Sequence, residues 1–298
     1  MAETKSETSY AAGRVGFMDG LGELPMLEIT TEWSTAGVYM HGAHVTHFSK
    51  KDEPSLLFLS QCSRFGKDQP IRGGVPVIFP WFGPREGMGQ HGFARLKEWS
   101  LKEFLPGEDG SVSVKFCLPD CPEASAYPPY TADFIVTVDE ALTMTLVVTN
   151  RSKDEILTFE NCLHTYFNIG DINTVSIHGL KGVKYLDKVA NFSRKVETDD
   201  AIRVGSEVDR VYLDTTGAVE IHDPTLKRKI TVEKHGSVST VVWNPWTTKA
   251  QQMPDFGNEE YQHMVCVESG NVGPNQIKLP PGESSKLVVS LKSEMLKS

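Results

Sequence analysis

The stretch Phe134–Thr149, FIVTVDEALTMTLVVT, gives the clearest indication of the fold class. Apolar and polar residues alternate in Phe134–Val138, while Leu142–Thr149 is rich in β-branched residues and lies between Glu140 and Asn150. Alternation with a period of two and enrichment in β-branched residues are typical of strands. The stretch therefore predicts two β-strands.

Similar strand patterns recur on both sides of this stretch. They are short, rich in Val, Thr, Ile and Phe, and separated by turn-forming residues: Ser111–Leu118, Ile156–Phe167, Lys229–Val232, Ser239–Trp243, Met264–Val267 and Lys286–Leu291. Helical patterns are few, because Phe93–Leu105 has imperfect apolar spacing and Asp255–His263 has room for only one or two helical turns. We therefore predict an all-β protein, a large antiparallel β-sandwich with few short helices.

The chain has 298 residues, a length that permits one or two domains. Apolar types make up 39% and charged types 23%, which is enough apolar material for a large core and argues against disorder. Because no internal repeat or linker-like segment divides the sequence, we expect a single sandwich domain over residues 1–298. About the first 10–20 residues are expected to form a flexible tail, since they are polar and terminal.

The net charge is -9, from 30 Lys and Arg against 39 Asp and Glu. This balance argues against binding of nucleic acid or an anionic membrane, since both require a basic surface. Two or three arginines can still form a local site for a small anion. No apolar run approaches the roughly 20 residues that span a bilayer, and the polar start MAETKSETSY predicts no signal peptide.

The cysteines indicate a reducing compartment. There are five, an odd number, and they are scattered: Cys62, Cys117, Cys121, Cys162 and Cys266. A secreted disulfide scaffold normally shows an even and denser set. We therefore expect a cytoplasmic protein, and the spacing of Cys117 and Cys121 alone is a weak metal or redox signal.

One glycine motif resembles a nucleotide-binding fingerprint without its context. Gly87–Gly92 matches G-x-G-x-x-G, and Asp109 lies near the expected acidic position. The fingerprint requires a preceding strand and a following helix in a βαβ unit. The preceding run Val75–Phe82 is broken by Pro76 and Pro80, so a flexible glycine loop is the preferred interpretation.

Three histidines, His41, His44 and His47, are spaced in a way that invites a zinc interpretation. On a strand, however, His44 would face away from the other two, because side chains alternate. We favour structural histidines here. The sequence also lacks a G-x-S-x-G elbow, a Walker loop, H-E-x-x-H and C-x-x-C, which removes the commonest nucleophile, phosphate-loop and zinc chemistries.

Three polar clusters remain as candidate functional segments. Arg72–Pro76 places a guanidinium beside two glycines, a group suited to a phosphate or carboxylate, and Gln90–Arg95 adds a second arginine with an amide and an imidazole. Glu160–Phe167 carries His164 within a strand pattern, and Glu268 ends an apolar run. The competing interpretations are a turn with a surface arginine, an ordinary polar loop and a satisfied core histidine.

Together these segments resemble the hexose-6-phosphate mutarotases (glucose-6-phosphate 1-epimerases) of the galactose mutarotase-like superfamily. The segments that carry the resemblance run in order along most of the chain: Arg72–Pro76, Phe79–Gly83, Gln90–Arg95, Asn161–Phe167, Asp209–Tyr212, Val242–Trp246 and Cys266–Gly270. The resemblance implies a β-supersandwich whose site lies in the concave face of one sheet. It also implies an isomerase that interconverts sugar anomers without a metal or organic cofactor.

The resemblance further implies roles for individual residues. His164 would be the general acid and Glu268 the general base, while Asp209 would hold sugar hydroxyls. Arg72, Gln90 and Arg95 would contact the phosphate, and His91 is a further candidate for sugar contact. A protonated His164 would need a raised pKa, which Glu160 or Glu268 could supply as a neighbouring carboxylate.

The expected partner is a small hexose 6-phosphate, with no nucleic acid and no membrane, and the expected state is a monomer. Two alternatives stay open at this point. One is an aldose mutarotase that acts on unphosphorylated sugar. The other is a catalytically silent carbohydrate-binding sandwich, which would have no need of an acid/base pair.

Overall fold

The structure is a computed structural model that describes residues 13–296. The first twelve residues, which contain most of the predicted tail, lie outside this range, and within the tail's upper limit Arg14–Asp19 forms a strand. The strands of residues 13–296 are, in chain order, β1 (Arg14–Asp19), β2 (Pro25–Thr30), β3 (Ser34–Tyr39), β4 (His44–Lys50), β5 (Val77–Ile78), β6 (Pro84–Arg85), β7 (Gly89–Gln90), β8 (Ser100–Pro106), β9 (Val112–Cys117), β10 (Tyr130–Val138), β11 (Leu142–Asn150), β12 (Leu157–Phe159), β13 (Asn161–Leu163), β14 (Tyr166–Asn168), β15 (Ser176–His178), β16 (Lys184–Asp187), β17 (Ser193–Val196), β18 (Ala201–Ile202), β19 (Val208–Leu213), β20 (Val219–Asp223), β21 (Arg228–His235), β22 (Ser239–Asn244), β23 (Met264–Asn271), β24 (Ile277–Leu279) and β25 (Ser284–Met295).

Helical structure is sparse. Within the described part of the chain, the α-helix α1 (Trp246–Gln252) is accompanied by short 3₁₀ turns at Leu21–Glu23, Ala94–Leu96, Pro122–Ala126, Glu260–His263 and Gly273–Asn275. None of the helices between residues 13 and 296 has the length and apolar character needed to cross a membrane.

Two large antiparallel sheets dominate the fold. One has nine strands in the order β18-β15-β20-β21-β25-β11-β10-β9-β8, and the other has eight in the order β17-β16-β19-β22-β23-β13-β5, with β14 also paired to β23. A separate four-stranded sheet has the order β1-β2-β3-β4. The predicted all-β antiparallel sandwich is thus confirmed, and the stretch that indicated it forms β10 and β11, paired from Tyr130–Asn150 to Val138–Leu142.

The main core lies between the sheets and is built from alternate residues of their strands. On β10, for example, Phe134, Val136 and Val138 are fully buried while the residues between them are only partly covered. Burying a side chain of this size is worth about 1.5–3 kcal/mol relative to leaving it exposed. The other sheet contributes residues such as Val242 and Val267 to the same cluster.

The eight-stranded sheet has a second face, and this face positions the candidate site. Trp243 on β22 is paired with Cys266 on β23, and both belong to a cluster separate from the main core. Asp209 on β19 is paired with Trp243 in turn. Because directly paired residues of neighbouring strands point to the same side of a sheet, these side chains form one row across it.

The imperfect helical pattern at Phe93–Leu105 does not correspond to a helix. Ala94–Leu96 is a single 3₁₀ turn, and Ser100–Pro106 is the edge strand β8, paired with β9. Pairing with a neighbouring strand therefore outweighed the local helical preference of this segment. The helical turns expected within Asp255–His263 are found at Glu260–His263.

The glycine motif at Gly87–Gly92 includes the turn and the second strand of the hairpin β6–β7. Its three glycines adopt backbone conformations that glycine favours. All three have positive φ angles. A Cβ at Gly92 would also collide with the carbonyl of Phe79, with which residue 92 makes a strand bridge. The preferred interpretation, a glycine loop without a βαβ unit, is therefore consistent with the observed backbone.

Candidate active site

The strand register brings the two candidate proton-transfer residues together. β13 and β14 are two parts of one path beside β23, with Leu163 opposite Ser269 and Tyr166 opposite Cys266. Continuing this register places His164 opposite Glu268. The ladder is interrupted there, and the backbone N–H of His164 instead donates to the carbonyl of Pro76, at 3.1 Å.

A cavity of about 140 Å³ opens above this point. Its walls come from several strands and loops and include most of the predicted site residues: Arg72, Phe82, Gln90, His91, His164, Tyr166, Lys188, Asp209, Trp243, Lys249, Met253 and Glu268. The sheet supplies the floor, and the loops that carry Arg72 and Gln90 supply the rim.

His164 and Glu268 are in direct contact and almost fully buried. The distance from His164 Nε2 to Glu268 Oε1 is 3.3 Å. The imidazole stacks on Tyr166, with ring centroids 4.8 Å apart and planes inclined by 13°. The second carboxylate oxygen of Glu268 accepts a hydrogen bond from Cys162 Sγ at 3.5 Å. Both side chains are therefore held in fixed orientations at the cavity floor.

Burial determines the proton affinities of this pair. It lowers the pKa of His164 well below its ordinary value, and the cations Arg72 and Arg95 lower that pKa further. Burial also raises the pKa of Glu268 well above its ordinary value, and the nearby Asp209 carboxylate adds to the rise. The expected raised pKa for His164 is therefore wrong, because loss of hydration outweighs the neighbouring carboxylate.

Arg72 is held rigidly at the rim. Its Nη1 donates to the hydroxyl of Tyr166 at 3.0 Å, and its Nε and Nη2 donate to Asp255 Oδ2 at 3.2 and 3.1 Å. The loop behind it is hydrogen-bonded to the His164 segment, since the N–H of Tyr166 donates to Gly74 O at 2.9 Å. The Arg72 and His164 segments of the sequence are thus neighbours in space.

Gln90 and Arg95 lie in successive layers of the rim. Gln90 lines the cavity and is exposed, whereas Arg95 is buried behind it and donates Nη2 to the Gln90 carbonyl at 2.8 Å. Burial and the charge of Arg72 lower the pKa of Arg95 to about 10, so it remains cationic near neutral pH. Among residues 13–296, no acceptor meets its Nε. Arg95 is therefore a buried cation close to the cavity.

Asp209 lines the cavity together with Lys188, a lysine that sequence reasoning missed. Lys188 Nζ lies 2.8 Å from Asp209 Oδ2 and 5.6 Å from the ring centroid of Phe82. Burial raises the pKa of Asp209, against the opposing effect of Lys188. The sequence carried no signal that distinguished Lys188 from the lysines common on protein surfaces.

The histidine motif His41, His44 and His47 lies outside the cavity. His41 and His44 bind backbone carbonyls, with Nε2 at 2.7 Å from Gln69 O and 2.8 Å from Gly73 O respectively. His47 faces Glu28 at 3.4 Å. The preference for structural histidines in this motif agrees with these contacts.

Glu160 does not approach His164. Its carboxylate accepts hydrogen bonds from the backbone N–H groups of Phe82 and Gly273. It therefore supports the loop that carries Phe82, and Glu268 is the carboxylate next to the imidazole.

Comparison with known proteins assigns the family. The family model described as aldose 1-epimerase matches residues 25–292. The chain belongs to the aldose 1-epimerase family. Two curated relatives carry the provisional name glucose-6-phosphate 1-epimerase. One, from Cenchrus ciliaris, is 36% identical over 257 residues, covering 83% of this chain and 78% of the relative. The other, from Escherichia coli K12, is 34% identical over 258 residues, covering 86% of each chain.

Solved structures agree with this family assignment. The crystal structure of a protein from Salmonella typhimurium, provisionally titled a mutarotase, superposes with a TM-score of 0.84 at 28% identity, covering 94% of this chain and 97% of that one. A galactose 1-epimerase from Lactobacillus acidophilus has a TM-score of 0.73 at 14% identity, covering 97% and 100%. The second likeness shows the shared fold alone.

Proposed function

We propose that this aldose 1-epimerase family member is a hexose-6-phosphate mutarotase, an isomerase that interconverts the α and β anomers of a hexose 6-phosphate. The observation that carries the proposal is the contact between His164 and Glu268 at the floor of a cavity rimmed by cations. The names given to the relatives from Cenchrus ciliaris and Escherichia coli support the same substrate.

The reaction needs one proton removed from the C1 hydroxyl and one delivered to the ring oxygen. In the proposed mechanism, Glu268 takes the first proton and His164 gives the second. The ring opens, the C1 aldehyde rotates about the C1–C2 bond, and closure from the other face gives the other anomer. The two groups exchange roles during closure, and each well-placed proton transfer contributes about 10²–10⁴-fold.

The pKa directions fit a pair that shares one proton. A neutral imidazole with a protonated carboxyl differs from an imidazolium with a carboxylate by one transfer across the 3.3 Å contact. Because both groups are buried, neither is driven toward its ionised form by water. The pair as a whole therefore carries the single proton that the reaction uses. An apparent pKa measured for this proton describes the pair and not either residue alone.

The charges around the cavity support an anionic substrate. Arg72 is balanced by Asp255, Lys188 by Asp209 and Lys249 by Glu207, through contacts of 3.1, 2.8 and 3.2 Å. Arg95 has no such carboxylate among the described residues, and a buried charge without a partner is costly. We assign the phosphate end of the substrate to Arg72, Gln90 and Arg95, where a phosphate would supply the missing negative charge.

Asp209 and Lys188 are assigned to the sugar hydroxyls. A carboxylate and an ammonium in contact offer both acceptors and donors, and a pyranose ring presents both kinds of hydroxyl contact. Phe82 and His91 stand beside them, with ring centroids 4.8 Å apart, and close the side wall of the cavity.

The remaining expectations complete the proposal. A single-domain, monomeric protein of the cytoplasm fits a charged small-molecule substrate and the scattered free cysteines. Size-exclusion chromatography with light scattering measures the oligomeric state directly.

Exchange spectroscopy by NMR tests the function. Adding the protein to equilibrated glucose 6-phosphate should increase the α/β exchange rate far above the spontaneous rate, in proportion to enzyme concentration. Glucose at the same concentration is the comparison substrate and should require a much higher concentration for the same acceleration. Equal acceleration of both sugars would favour the aldose mutarotase alternative, and no acceleration of either would favour a silent binding protein.

A further inference from the structure

Cys266 is a buried thiol at the active site that the proposed proton transfers do not use. It lies two residues before Glu268 on β23, so both side chains point to the same face of the sheet. A nitrogen of His164, Cys266 Sγ and a carboxylate oxygen of Glu268 all lie within 4.8 Å of one another. All three residues are buried.

This set of donor atoms matches the preferences of zinc and similar cations. Zinc is bound by imidazole nitrogen and carboxylate oxygen at about 2.0–2.2 Å and by thiolate sulfur at about 2.3 Å, usually in a tetrahedron. Two such nitrogen and oxygen ligands therefore lie about 3.3–3.5 Å apart. The observed distance of 3.3 Å between His164 Nε2 and Glu268 Oε1 already has this value.

The cavity provides the route to the three donors. His164 and Glu268 line it, while Cys266 is fully buried beside them. The sulfur must approach by a small side-chain movement, since the largest separation allowed by the cluster is 4.8 Å. The fourth coordination position then faces the cavity, as in zinc sites with three protein ligands.

We propose that His164, Cys266 and Glu268 form a binding site for a thiophilic divalent cation of the zinc type, and that the bound ion inhibits the enzyme. On binding, the thiol of Cys266 releases one proton to solvent and the His164–Glu268 pair releases its shared proton, as the bonds from the metal to sulfur, nitrogen and oxygen form. The ion then occupies the lone pairs of both proton-transfer groups. The inhibition rests on the proposed function, whereas the binding does not.

The surroundings indicate reversible binding. A metal-bound histidine normally donates its other ring N–H to a carboxylate or carbonyl, which strengthens the site. For His164, no partner of Nδ1 occurs among residues 13–296. The ion is therefore held without this support, so we expect a chelator to restore activity fully.

Cadmium titration tests the site without any measurement of activity. The starting protein carries Cys62→Ala, Cys117→Ala and Cys121→Ala, which leaves only the two buried cysteines. We expect one equivalent of Cd²⁺ to produce an ultraviolet thiolate-to-metal charge-transfer band. Added Zn²⁺ should displace the Cd²⁺ and remove the band. Adding Cys266→Ala should abolish the band.

Cys162→Ala is the matched control, because Cys162 is equally buried and contacts Glu268 from the other side. The control should keep the band. A band that persists in Cys266→Ala, or that disappears equally in both variants, would overturn the assignment of Cys266 as the sulfur ligand. No band in the starting protein would overturn the site itself.

Zinc inhibition of α/β exchange provides the second measurement. In the same background, Cys266→Ala should raise the zinc concentration for half inhibition by about tenfold or more. An unchanged concentration would overturn the inhibitory role. If the protein binds cadmium as described but never accelerates α/β exchange, the proposed function fails while the metal site stands. If it accelerates exchange but gives no cadmium band, the metal site fails while the proposed function stands.

Discussion

His44 and His164 are both buried histidines on strand-rich segments, yet their surroundings differ in kind. His44 donates Nε2 to the carbonyl of Gly73 at 2.8 Å, and burial lowers its pKa to about 3. His164 faces the carboxylate of Glu268 at 3.3 Å and lines a cavity. Burial lowers both pKa values, so the pKa direction alone does not separate the two histidines.

The difference lies in what each imidazole can exchange protons with. A backbone carbonyl only accepts a hydrogen bond, so His44 is fixed in one neutral form and holds in place the loop that directly follows Arg72. A carboxylate can give or take a proton, and the cavity gives a substrate access to both groups. The histidine with a titratable partner and an open side is the one suited to acid/base chemistry.

The largest expected effect comes from making the same substitution at both positions. His164→Gln should lower kcat for α/β exchange by about 10²-fold or more, because a glutamine side chain cannot transfer the proton. His44→Gln can keep the hydrogen bond to Gly73 and should lower kcat by less than about threefold. Glu268→Gln should match His164→Gln. Exchange rates measured by NMR on folded proteins would contradict the assignment if His164→Gln kept near-full activity.

The second prediction concerns His44 and the pH dependence of the free energy of unfolding. The folded-state pKa of His44 lies below its unfolded value, so its contribution to stability is full above the unfolded pKa of 6.5 and is lost as the pH falls toward about 3. Between pH 7 and pH 5 this costs about 2 kcal/mol. His44→Gln should reduce the loss of unfolding free energy over this range by about that amount.

Urea unfolding at the two pH values provides the measurement. The control is His222→Gln, since His222 is about 40% exposed in its side chain. An identical pH dependence in the wild type and His44→Gln would show that His44 is not buried in its neutral form.

The smallest effect concerns the arginine next to the loop that His44 holds. Arg72→Ala should raise KM for glucose 6-phosphate by about tenfold, equivalent to about 1.4 kcal/mol, and leave KM for glucose nearly unchanged. Arg95→Ala should act in the same direction. The control is Arg85→Ala, whose guanidinium binds the hydroxyl of Tyr127 instead. Equal losses on both sugars would remove the phosphate assignment.

The sequence predicted the strands correctly where one face of the strand is buried and the other is not. Phe134–Val138 alternates because one side of β10 meets the core and the other does not, and the pattern is visible without a structure. The imperfect helical pattern of Phe93–Leu105 did not reveal strand β8, because the conformation of this segment depends on pairing with β9, which lies outside the segment.

The candidate site was accessible in part. His164 and Glu268 were predicted from the resemblance, and the strand register brings them together. Lys188 and the burial of His164 could not be predicted, because both depend on how distant loops close over the sheet. The local pattern contains no information on the loss of hydration that controls the pKa of His164.

β13 and β14 pair with β23 in the same register on both sides of the gap between them. A strand that slips by a single residue turns every side chain to the opposite face. Inserting or deleting one residue in β13 before His164, or in β23 before Glu268, would therefore turn the imidazole or the carboxylate toward the interior between the sheets. Divergence of this cavity floor must then proceed by exchange of side chains, while changes in length are confined to the loops around the rim.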